Sequence, residues 1–187
     1  MHRSLLVRQV SPAALLLASL IAGAIAADAV LHAVGLRWVG VYLGPIGTGM
    51  LAVSFLYSLR KRKRITFAQP RQLLELHQAL GWFGSLVLLV HGGSHFNALL
   101  PWLALVAMVI VAASGMIGAV LLWRALEAMR QAGKPEGDSA RQLLDAVTVD
   151  LMKKWRAVHL PLNAVFLTLA TLHIVAALLL RPWWWGR

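Results

Sequence analysis

The sequence predicts an all-α integral membrane protein with five transmembrane helices and one short cytoplasmic amphipathic helix. Three observations carry that prediction. Hydrophobic residues make up 59% of the chain and charged residues only 13%, about half the charged share of an ordinary soluble domain. The apolar residues gather in five runs, each near the roughly 20 residues that cross a hydrocarbon core. No strand-like alternation competes with these runs, and a helix satisfies its own backbone hydrogen bonds in lipid. The chain reads as one domain over residues 1–187.

The first run covers about 12–34. Arg3 and Arg8 precede it, and Ala24-Ile25-Ala26 has the small-residue pattern of a signal-peptide cleavage site. The apolar run continues past Ala26 to Val34, which favours a retained helix. The second run, 40–59, ends at "RKRKRITFAQPR", Arg60 to Arg71. The third run is 73–93 and the fourth 101–123. Residues 124–157 form the one sizeable polar segment. Within it "GKPEGDSA" is a turn, and Leu143, Leu144, Val147, Leu151 and Trp155 then recur at helical spacing. That segment is expected as a short amphipathic helix on the membrane surface. It would tether the fifth span or cover the edge of a cofactor. The fifth run, 158–180, is followed by "RPWWWGR", with the interfacial tryptophans Trp183, Trp184 and Trp185.

Charge sets the expected orientation. The formal net charge is +11. Positive residues cluster before the first run, between the second and third, and between the fourth and fifth. All three clusters then fall on one face, the cytoplasmic one, with the N-terminus inside and the C-terminus outside. A bacterial inner membrane fits this layout. Topology accounts for the run from Arg60 to Arg64 without nucleic acid. The chain has no cysteine, which excludes disulfides, thiolate catalysis, iron–sulfur ligation and c-type haem attachment.

Histidines carry the chemistry. His77 and His91 lie in the third run, and His159 and His173 in the fifth. Each pair is 14 residues apart. Fourteen residues fall about 40° short of four full turns, so each pair shares a helix face about 21 Å long. The third and fifth spans run parallel, so His77 matches His159 and His91 matches His173 in depth. Lone intramembrane histidines serve as hydrogen-bonded packing residues or proton relays. Two equal spacings on two parallel spans point instead to two stacked macrocycles. Each would be a b-type haem held by one imidazole from each helix, an arrangement suited to electron transfer.

With these histidines in place, the chain resembles di-haem cytochrome b membrane subunits, especially the ferric-reductase-like and cytochrome b561-like transmembrane domains. "ASGMIG" at Ala113–Gly118, "WRAVHLPLNAVF" at Trp155–Phe166 and "LHIV" at Leu172–Val175 share in the likeness. It covers roughly spans two to five. The resemblance implies a haem-binding bundle with His77, His91, His159 and His173 as axial ligands to two irons. No flavin- or nicotinamide-binding domain follows the bundle, and no Pro-Glu-Trp-Tyr quinol motif is present. The expected role is a membrane electron-transfer subunit between the quinone pool and a periplasmic c-type cytochrome or oxidoreductase. It would act within an oxidoreductase complex rather than as an enzyme alone. The alternative is a ferric-reductase-like subunit passing electrons from a separate cytoplasmic flavoprotein to a periplasmic reductase. A reading of another class is a haem-free transporter of metal or protons.

Supporting residues follow from depth. Gly81, Gly84, Gly115 and Gly118 are placed to let a flat cofactor approach the backbone, or to pack helices closely. Arg71 and Arg156 lie at the level of the cytoplasmic-side haem and are candidates for its propionates, with Ser94, Asn97 and Arg181 near the other level. His95 sits past Gly92-Gly93, which should end the helix, so His91 is the expected ligand of the two. His95 is then an interfacial residue, or a contact to a propionate, a quinone or a partner. Asp28 and His32 are one turn apart in the first span. They would accept quinol protons or pin the helix end.

Overall fold

The computed structural model describes residues 2–93, 98–131 and 138–180. Among these every regular element is helical: α1 (His2–Ala33), α2 (Val39–Ser54), α3 (Leu56–Lys61), α4 (Pro70–Gly92), α5 (Leu99–Gln131) and α6 (Asp138–Leu180). Five segments are long and apolar enough to cross a membrane: Ser11–Ala33, Val39–Lys61, Pro70–Gly92, Leu99–Glu127 and Ala146–Leu180.

Local chemistry explains the helix ends. At the end of α1, Gly35 takes φ 73°. Leu36 N–H reaches Leu31 O at 2.8 Å and Gly35 N–H reaches His32 O at 3.2 Å, which is a Schellman closure. At the start of α4, Pro70 occupies the first turn and Gln69 and Gln72 form a reciprocal capping box. The helix therefore begins three residues before its apolar run does. At its other end Gly93 adopts φ 53° and closes α4 right after Gly92, as the glycine pair suggests.

The separate amphipathic helix expected within 124–157 is not a separate element. The start of that segment extends α5 to Gln131, and Asp138 onward is continuous with the fifth span as the 43-residue α6. Residues 138–160 contain neither Gly nor Pro and are rich in Ala, Leu, Arg, Lys, Gln and Met, so nothing interrupts the backbone. Along this stretch Val147 and Leu151 are exposed, while Trp155 turns toward α5.

Packing is sparse and organised around α4, which meets α1, α2, α3 and α5. An apolar cluster of Ala13, Leu20 and Met116, with Trp82 and Leu86 against it, joins α1, α4 and α5. Most large apolar side chains face outward, Ile25 at 65% and Leu178 at 71% exposure among them. In water that would forgo about 1.5–3 kcal/mol for each such side chain; in lipid it costs little, and helices associate through close small-residue contacts instead. The α2/α4 seam works that way. A Cβ on Gly47 would lie 2.7 Å from Leu88, and one on Gly84 2.9 Å from Leu51.

The paired contacts Gly47–Leu88 and Gly92–Leu105 set α2 and α5 antiparallel to α4, and Gly118–Trp155 with Ser114–His159 sets α6 antiparallel to α5. So α4 and α6 are parallel. Helix α6 rests on α5. The parallel α4 and α6 carry the residues of the candidate site.

Candidate functional site

All four paired histidines line this arrangement half-buried. His159 lies within electrostatic range of His77, and His173 within range of His91. The matched spacing thus brings one imidazole from each helix together at each of two levels. No group of three or more His, Asp or Glu side chains gathers as a metal cage among the described residues. A macrocycle that supplies its own four nitrogens needs only two axial ligands from the protein.

The test of fit lies in the ring nitrogens. His77 Nδ1 is 3.1 Å from Ser54 O, and His91 Nδ1 is 2.7 Å from Gly40 O. A carbonyl only accepts, so both Nδ1 atoms carry the proton. His159 Nδ1 is 2.6 Å from Ser114 Oγ, whose own proton goes to Val111 O at 2.9 Å. That hydroxyl therefore accepts from His159. Three rings hold the same tautomer, with the Nε2 lone pair left for a metal. Anchoring the far nitrogen on an oxygen is how proteins orient ligating histidines. Among the described residues no group hydrogen-bonds His173.

Local structure supplies these acceptors. The break between α2 and α3 at Phe55 lies beside Ser54; the turn hydrogen bonds there use the carbonyls of Ala52, Val53 and Phe55, and Ser54 O meets His77. The His91 ring lies against Gly44, where a Cβ would sit 2.8 Å from its Cε1 and Nε2. At the His77/His159 level, aromatic rings complete the wall. Tyr57 sits 5.6 Å from the His77 ring. Trp155 stacks on His159 at 4.8 Å and 21° and donates its indole N–H to Ser114 O at 2.8 Å.

The remaining candidates distribute as follows. Gly115 lies beside His159, with a Cβ reaching only ordinary contact at 3.7 Å. Gly118 seats Trp155, since a Cβ there would collide with the indole. Gly84 packs α4 onto α2, and Gly81 faces open space. Arg71 is 83% exposed and pairs with Glu75 at 2.9 Å. Arg156 is half-buried, bonds Met152 O at 3.2 Å and lies within charge range of Lys61. His32 Nδ1 donates to Asp28 O at 2.8 Å and sits 3.4 Å from the Asp28 carboxylate, so the two do meet across one turn. His95, Ser94, Asn97, Arg181 and the three terminal tryptophans lie outside the described residues.

Sequence reasoning missed Ser114, Trp155, Tyr57 and the carbonyls of Ser54 and Gly40 as parts of the site. For Ser114 and Trp155 a signal existed. Both stand one helical turn or so from a glycine or histidine already singled out.

No protein-family model, curated protein or solved structure matches the chain. Geometry and chemistry therefore carry the functional reading alone.

Proposed function

We propose that the protein is a membrane electron-transfer subunit holding two b-type haems, one between His77 and His159 and one between His91 and His173. The observation that supports this reading is the seating of His77, His91 and His159 Nδ1 on oxygens, with the histidines in matched pairs on the parallel helices α4 and α6. A lone packing histidine can make the same Nδ1 contact; what favours haem is that such rings recur in matched pairs at two levels on parallel helices. When bound, each haem would supply one-electron exchange, held by His77 and His159 at one level and by His91 and His173 at the other.

The chain's own contribution is depth, ligation and surroundings. A separation of about 21 Å between the levels spans most of a roughly 30 Å hydrocarbon core, so the pair would relay electrons between its two faces. The Lys and Arg distribution supports a bacterial inner membrane with the N-terminus and the His77/His159 level toward the cytoplasm and the C-terminus toward the periplasm. The redox partners are then the quinone pool and a periplasmic c-type cytochrome or oxidoreductase. Asp28 and His32 are the proposed proton acceptors of a quinol site. Asp28→Asn should slow quinol-dependent reduction and leave haem content intact; unchanged kinetics would remove the pair from the scheme.

A reduced-minus-oxidised spectrum of the purified protein tests the reading directly. A b-type α band with two haems per chain is expected. Absence of that band would end the cytochrome reading and leave a haem-free metal or proton carrier.

A further inference from the structure

We propose that Ser114 is a positioning residue that sets the reduction equilibrium at the His77/His159 level by governing how strongly the His159 ring donates to iron. The inference rests on the haem reading above. His77 and His91 donate to main-chain carbonyls, which no substitution of a side chain deletes. His159 donates to a side chain, the Ser114 hydroxyl, at 2.6 Å. That distance is at the short end for a hydrogen bond. The hydroxyl's own donation to Val111 O polarises it and makes it a better acceptor.

Ser114 also fixes the ring's other neighbour. Its carbonyl accepts the Trp155 indole N–H at 2.8 Å, and that indole stacks on His159 at 4.8 Å. One residue of α5 thereby holds both the imidazole edge and the shelf beneath its face. Gly118, one turn further along α5, leaves the space the indole occupies.

The chemistry has a definite sign. An imidazole that donates Nδ1–H to a good acceptor is more basic at Nε2, and a more basic ligand favours the ferric ion. One electron converts Fe(III) to Fe(II), and the Nδ1 proton stays where it is. Loss of the acceptor therefore favours the ferrous ion at this level only.

Redox titration of the purified protein with Ser114→Ala tests this. One of the two haems should shift its Fe(II)/Fe(III) ratio at a given potential about tenfold toward the reduced form, equal to about 59 mV for a one-electron couple. The other haem should not move, and Ser114→Thr should restore the original value. If Ser114→Ala releases the haem, Ser114→Cys is read instead. It keeps the shape with a weaker acceptor and should give a smaller shift in the same direction. Two retained haems with both midpoints unchanged in the Ala variant, or in the Cys variant where Ala cannot be read, would overturn the role of Ser114 while leaving the haem reading standing. A wild-type protein without a b-type spectrum would remove both.

Discussion

The His77/His159 level adds side-chain walls to one backbone contact, whereas the His91/His173 level is met by backbone and a glycine notch. At the first, Tyr57 and Trp155 flank the imidazoles, the Ser114 hydroxyl meets His159 and the Ser54 carbonyl meets His77. At the second, Gly40 O holds His91, Gly44 makes room for its ring, and no described residue bonds His173. Two histidine pairs with the same spacing thus have different surroundings. Side-chain walls can be adjusted one residue at a time. A backbone wall changes only when the helix itself moves.

Removing a level outright gives the largest effect. His77→Ala should lower haem content from two per chain to one, and His91→Ala should do the same at the other level. The double variant should retain none, as read by pyridine haemochrome assay. Equal content in both single variants and the parent would break the two-level arrangement.

Smaller effects separate the two kinds of wall. Gly118→Ala drives a methyl into the Trp155 indole and should cost about 1–3 kcal/mol, the usual range for overpacking. It would be measured as a lower thermal midpoint in detergent. Gly115→Ala, with room at 3.7 Å from His159, should stay close to the parent. Ser54→Ala should leave the haem at His77 in place, because the ring is held by the Ser54 carbonyl and the hydroxyl serves only Leu51 O. A spectrum that loses that haem would show that the side chain matters after all. Arg71→Ala should be the mildest, within about 1 kcal/mol of the parent, because its partner Glu75 is also exposed. A lost haem in that variant would place Arg71 at a propionate.

Much of this was legible in the chain itself. Five apolar runs mark five spans because lipid accepts little else. The equal 14-residue separations place the histidines in register because helix geometry leaves no freedom there. The boundaries were less legible. Apolar runs end where lipid ends, but α4 starts at its Pro70 cap and α5 continues to Gln131 through residues that favour a helix. The acceptors for His77 and His91 were invisible for a plainer reason. Every residue has a carbonyl, so nothing marks Ser54 or Gly40. Helical spacing marks Trp155 only as part of the apolar stripe of a membrane-surface helix, and its contacts with Ser114 O and the His159 ring show where the indole goes.

Helix α6 has a mechanical consequence. Its 43 residues give a rod about 64 Å long, roughly twice the hydrocarbon thickness. Pro161 is the one proline inside it, and it deletes the hydrogen bond to the carbonyl four residues before, Ala157. Bending stiffness is therefore lowest two residues from His159. A load applied to one end of the rod would concentrate its strain there, so α6 is also a lever arm with its fulcrum beside the His159 imidazole.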